Sequence, residues 1–162
     1  MKKILIFLLL AATVFSFAAC KDNTTPPTEE GKTYTFTSGT TKIAINADAA
    51  PILAALGEWR DYAESASCAF EGLDKVYTYA GFEIQTYPMG EKDFVYMIIL
   101  QDDTVATEKG IRIGATKDAV LTAYGTPNEE SANALTYNGK GMYLQFILRE
   151  GTVTSIQYGY AE

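Results

Sequence analysis

The chain is expected to fold as an α+β domain, with two tandem helix-plus-strand-meander repeats forming one antiparallel sheet and short helices on one face. Three observations predict this. The sequence matches itself at fixed offsets, which marks internal repetition. Each matching segment holds one short helical run bounded by capping residues. Each run is then followed by several strand-like stretches, the order expected of a helix-covered antiparallel sheet.

Residues 1–19 are set apart from the fold as a secretory signal. Lys2 and Lys3 give it a positive end, residues 4–17 an apolar core, and Ala18-Ala19 place small side chains before Cys20. The apolar run is shorter than the ~20 residues that span a bilayer. The pattern resembles a bacterial lipoprotein signal, cleaved before Cys20. Cys20 is then the lipidation site, and the protein is expected on the extracytoplasmic face of a bacterial cell membrane, held by palmitate-type acyl chains. Each buried methylene of such an anchor contributes about 0.8 kcal/mol. Residues 20–32 (CKDNTTPPTEEGK) are polar, contain Pro26-Pro27 and lack apolar periodicity, as a tether does. Extended, they reach on the order of 40 Å.

Residues 33–162 form the expected domain, with repeat one at about 42–103 and repeat two at about 110–160. Ile43, Ile45, Asn46, Ala47, Leu53 and Gly57 match Ile111, Ile113, Gly114, Ala115, Leu121 and Gly125, each pair 68 apart. Thr78, Tyr79, Gly81, Val95 and Ile98 match Thr136, Tyr137, Gly139, Val153 and Ile156, each pair 58 apart. The first copy therefore carries ten extra residues within 58–77. Each copy is read as a short strand, a helix and a meander. The helices are predicted over 49–56 and 117–124, with Asp48 and Thr116 as N-caps and Gly57 and Gly125 at the C-termini. Strands are predicted over 93–100, 142–148 and 152–160, where aromatic and branched residues are bounded by Gly or charge. Residues 148–152 (LREGT) read as a tight hairpin.

Composition excludes several functions. Losing residues 1–19 removes two of thirteen basic residues and none of twenty acids, so net charge falls from −7 to −9. Nucleic-acid binding, which needs clustered Lys and Arg to release counterions, is excluded as a partner class. The chain contains no histidine, which removes Ser-His-Asp and Cys-His catalysis and the commonest zinc ligand. The pairs Asp102-Asp103 and Glu129-Glu130 lack calcium-loop spacing and read as solvated turn acids. No cofactor, no metal and no enzymatic activity are expected. With Cys20 lipidated, Cys68 has no disulfide partner, and its neighbours Ala66, Ser67, Ala69 and Phe70 suggest a buried structural thiol.

Residues 110–127 (GIRIGATKDAVLTAYGTP) resemble an element of the SmpA/OmlA (BamE-like) outer-membrane assembly lipoproteins, which recurs in the tandem-repeat β-lactamase inhibitory protein family. Tyr137-x-Gly139, Leu144-x-Phe146 and Gly151-x-Val153-x-x-Ile156 continue the pattern. Trp59 stands where Pro127 stands, and Asn46 replaces Gly114. The resemblance implies helices on one face of an antiparallel sheet, with the other face gripping proteins and no catalysis. This chain lacks the cysteine pairs common in inhibitory repeats.

Strand alternation sorts the two faces. Tyr96, Ile98, Leu100, Leu144, Phe146 and Ile156 are expected in the core. Met97, Ile99, Tyr143, Gln145 and Gln157 are expected on the open face, joined by Tyr79, with Tyr87 and Tyr137 as further candidates. Tyr and Met suit an interface, so the expected function is a non-enzymatic module that binds a cell-envelope protein. The alternative is a small-ligand site near the 58–77 insertion, rimmed by Trp59, Arg60 and Tyr62.

Overall fold

In a computed structural model, residues 31–161 are described. The lipidation site Cys20, the signal and most of the tether lie outside them. Ten strands and two helices follow in chain order. β1 (Phe36–Ser38) and β2 (Thr41–Ile43) form a small hairpin that places Phe36 opposite Ile43. α1 (Ala49–Leu56) leads to β3 (Asp61–Ala66), β4 (Leu73–Thr78), β5 (Phe82–Met89) and β6 (Lys92–Leu100). α2 (Lys117–Tyr124) leads to β7 (Glu129–Glu130), β8 (Ala134–Gly139), β9 (Met142–Arg149) and β10 (Thr152–Tyr160).

β3 to β10 build one eight-stranded antiparallel sheet in the order β3-β4-β5-β6-β10-β9-β8-β7. This corrects the α+β expectation. The described chain is mostly β, 47% strand and only 12% helix, with a two-stranded sheet beside the large one. Two helices of eight residues each cannot form a layer over eight strands, so they serve as plugs on a β scaffold. The short strand expected to open the second repeat ahead of its helix is also absent; Thr116 makes only an isolated bridge to Thr152.

The helices start and stop where their caps dictate. Asp48 accepts a hydrogen bond from the Ala50 N–H at 3.1 Å, and Thr116 accepts one from the Ala119 N–H at 3.2 Å. Gly57 and Gly125, with φ of 78° and 80°, return their N–H groups to Leu53 and Leu121. A left-handed residue at this position is nearly free of cost only for glycine.

The core lies between the sheet and the covering helices and hairpin. Ile52, Val120 and Tyr124 come from the helices and Phe36 and Ile43 from the hairpin; Ile84, Val95, Ile98, Leu144, Phe146 and Ile156 come from the sheet. Fully burying one such side chain stabilises by roughly 1.5–3 kcal/mol. The seam between the halves pairs Ile156 with Leu100 and Tyr158 with Ile98.

Two bulges set which residues face inward. The register of β6 on β5 shifts at Gln85/Thr86, leaving Tyr96 extra. The register of β10 on β9 shifts between Val153 and Ser155, leaving Thr154 extra. An extra residue reverses the alternation beyond it. Val95 is consequently buried, whereas Tyr96, expected in the core, is 42% exposed.

Candidate functional site

The sheet face away from the helices carries the candidate site. Pairing through the sheet aligns its side chains in rungs that run across the strands. One rung reads Glu83, Ile99, Gln157, Gln145 and Thr136. The next reads Gln85, Met97, Gly159, Tyr143 and Asn138 along the same five strands. A third places Ser155 opposite Ile147. Met97, Ile99, Tyr143, Gln145 and Gln157 all fall on this face and all are partly exposed. Five of the six expected binding residues are therefore brought together.

Tyr79 is the exception. It is buried at 7% exposure, stacks on Phe82 at 5.1 Å, and directs its hydroxyl at the Gly57 carbonyl. Tyr137 behaves likewise, donating to the Gly125 carbonyl at 2.9 Å from 1% exposure. Tyr79 directly follows β4 and Tyr137 lies within β8, and each satisfies the carbonyl of the glycine that ends its helix. Desolvation pushes both phenols up, that of Tyr137 to about 12.

Packing and amide chemistry shape the open face. The Tyr143 ring lies across Gly159, where a Cβ would fall 2.2 Å from the ring. Any larger residue at 159 would expel the tyrosine. Burial pushes the Tyr143 phenol up, with the nearby Tyr96 adding to it. Gln145 donates to the Thr136 hydroxyl at 2.9 Å. Glu83 accepts from Gln85 at 2.6 Å and from Gln101 at 3.0 Å. Glu83, Gln85, Gln101 and Thr136 were missed in the sequence reading, although the alternation Phe82-Glu83-Ile84-Gln85 before the Gly90 turn signals a strand with two unlike faces. The face combines apolar contact at Met97 and Ile99 with fixed amide donors and acceptors.

The 58–77 stretch also departs from expectation. It extends β3 to six residues, all exposed, and adds a loop at 67–72. Cys68, expected to be buried, is exposed in that loop. Beside α1 lies an open groove of about 560 Å³ lined by Leu53, Ala54, Gly57, Glu58 and Trp59. Of the three expected rim residues only Trp59 lines it. The Arg60 N–H pairs with the Thr78 carbonyl at 2.7 Å. Tyr62 packs against Trp59 and Tyr77 and donates to Glu64.

The acidic pairs serve local structure. Asp102 accepts from the Thr104 hydroxyl and, at 2.8 Å, from the Thr104 N–H in an Asx turn, and these bonds, the hydroxyl's first, hold its carboxyl below the ordinary range. Glu130 pairs with Lys117 at 2.6 Å. Among the described residues no three His, Cys, Asp or Glu side chains gather as metal ligands, and no helix is long and apolar enough to cross a membrane.

No family model matches the chain, and no curated protein matches it. Among solved structures it is similar to an extracellular protein containing a SCP domain from Bacillus anthracis str. Ames, with a TM-score of 0.44 and 12% identity. The match covers 76% of this chain and 47% of the other, so this chain spans about half its length.

Proposed function

We propose that this protein is a lipid-anchored module on the extracytoplasmic face of a bacterial cell membrane, which binds an envelope protein through its open sheet face and catalyses no reaction. The observation that carries the reading is the pair of rungs through Ile99 and Tyr143, where apolar and amide side chains lie side by side on a rigid sheet. Interfaces are enriched in Tyr and Met, and a sheet holds such residues in place at little entropic cost on binding. The net charge of −9 left after cleavage before Cys20 favours a partner that presents basic groups around an apolar centre. The lipobox-like sequence ending at Cys20 supports the anchor.

Two measurements test the two parts. Cys20→Ala should abolish incorporation of labelled palmitate into the protein; a variant that is still palmitate-labelled would contradict the anchor at Cys20. Ile99→Glu places a charge at the centre of the face from a partly exposed position, so the fold should survive. Loss of a central contact costs about 2 kcal/mol or more, roughly a thirtyfold weaker complex. An unchanged affinity for the captured partner would contradict this face as the docking surface.

A further inference from the structure

The two edges of the eight-stranded sheet are finished differently, and β3 is the one left open. β7, at one edge, has two residues, both glutamates, and Lys117 ties down Glu130 at 2.6 Å. A short charged edge of this kind resists pairing with another strand. β3, at the other edge, runs for six residues, all exposed. Just past it, the Ser67 N–H bonds the Gly72 carbonyl at 3.0 Å, and along an antiparallel strand this direction alternates. Asp61, Ala63 and Ser65 therefore turn their main-chain groups toward β4, whereas Tyr62, Glu64 and Ala66 turn theirs outward. The Tyr62 N–H agrees with this, since it is held by the Asp61 carboxylate at 2.9 Å.

Outward N–H and C=O groups on a long edge are a template for a second strand. β3 complements itself in one antiparallel register. Centred on Ala63, that register sets Tyr62 opposite Glu64 of a second copy, and Asp61 opposite its Ser65. Each carboxylate then meets a hydroxyl that can donate to it, and no like charges stand directly opposite. Asp61 exchanges the Tyr62 N–H for that serine hydroxyl. A register centred on Glu64 would set two carboxylates face to face, which is unfavourable. One centred on Tyr62 would need the Arg60 N–H, already given to the Thr78 carbonyl at 2.7 Å. Apolar ends are matched as well. Exposed Trp59 and Tyr62 lie at one end of β3, and exposed Leu73, opposite Ala66, lies at the other. Opposed strands bring the Trp59–Tyr62 end of each copy to the Leu73 end of the other. The described chain begins far from this edge: the Lys32 carbonyl accepts from the Lys140 N–H at 2.8 Å, just past β8. We propose that two copies of this chain pair through β3, antiparallel about Ala63, into one continuous sheet with both open faces on the same side.

The test is disulfide trapping of the full-length protein in detergent at micromolar concentration, with Cys68→Ser as the background. Residues opposed in a non-hydrogen-bonded pair have Cα atoms about 4.5 Å apart, within disulfide reach. Ala63→Cys should therefore give a dimer linked through position 63, confirmed by peptide mass. It should form roughly a hundredfold faster than with Thr122→Cys on α2, because pairing raises the effective thiol concentration to about millimolar. Position 65 lies roughly 14 Å from its own copy in this register, so Ser65→Cys should not link. Glu64→Pro removes an outward N–H that β4 does not use. The strand should survive it, while trapping from Ala63→Cys falls to the Thr122→Cys rate. Trapping from Ala63→Cys no faster than from Thr122→Cys, equal trapping from Ser65→Cys, or full trapping with Glu64→Pro would overturn the proposal. Ile99→Glu tests the docking face and should leave trapping unchanged, so the two proposals fail separately.

Discussion

The two halves of the sheet hold their helices by equivalent bonds and finish their edges differently. The Asn46 and Gly114 N–H groups donate to the Val95 and Val153 carbonyls, each at 2.8 Å. Asp48 bridges to Phe94 and Thr116 to Thr152. Tyr79 and Tyr137 reach the carbonyls of Gly57 and Gly125. At the edges the likeness ends. β3 runs for six exposed residues where β7 has two. Among the described residues the large apolar ones more than a third exposed are Trp59, Tyr62, Phe70, Leu73, Met89 and Tyr96, all in the first half. The framework tolerates this because the seam and the buried face carry the stability, so residues added at the rim are free to build a surface.

Truncation should expose that division. Phe146→Ala removes a fully buried ring of the second half and should cost about 3–5 kcal/mol by chemical denaturation. Leu73→Ala, at a residue 39% exposed in the first, should cost about 0.5 kcal/mol or less. Similar costs for the two would break the distinction between scaffold and rim.

Gly159→Ala comes next in size. The added methyl meets the Tyr143 ring, and overpacking of this kind costs about 1–3 kcal/mol. Tyr143 should leave its place, seen as loss of the raised phenol value in a spectrophotometric titration. An unmoved titration would show that Tyr143 does not rest on Gly159.

The paired tyrosines give a finer comparison. Tyr137 donates at 2.9 Å and Tyr79 at 3.5 Å. Tyr137→Phe should therefore cost about 1 kcal/mol, and Tyr79→Phe measurably less. Equal losses would mean that both bonds are alike in solution.

The N-caps differ in their response to acid. A hydrogen bond from Lys92, then one from the Ala50 N–H, lowers the Asp48 carboxyl below its ordinary 3.8. A depressed carboxylate contributes stability that is complete above the unfolded value and lost as pH falls through the folded one. Asp48→Asn should flatten the acid limb of stability below about pH 4. Thr116→Asn, at the corresponding cap, should leave that limb unchanged. A limb unaltered by Asp48→Asn would remove Asp48 from the acid response.

How far the sequence spoke depended on whether the deciding feature was local. Both helices were legible to the residue, because Asp48, Thr116, Gly57 and Gly125 are caps whose chemistry acts within one turn. The Glu150-Gly151 turn was legible for the same reason; both residues have positive φ, as a tight hairpin needs. The fold class was not: the helices weighed too heavily, and β3 (DYAESA) was invisible because its exposed residues carry little strand preference. Tyr96 was misplaced because a bulge is a pairing event between strands and leaves no mark on one strand's alternation. Cys68 was misjudged because small neighbours suit a loop as well as a core. Tyr79 went astray because its partner, the Gly57 carbonyl, is 22 residues earlier in the chain and leaves no mark on local alternation. The open-face residues Met97, Ile99, Tyr143, Gln145 and Gln157 were legible because alternation alone places them.

The most direct test of the docking account is site-specific photo-crosslinking in living cells. A photoreactive residue is placed at Ile99 on the open face or at exposed Thr122 on α2. The account predicts one envelope protein crosslinked from position 99 and not from 122. Crosslinking to that protein from 122 alone, or equally from both positions, would contradict it.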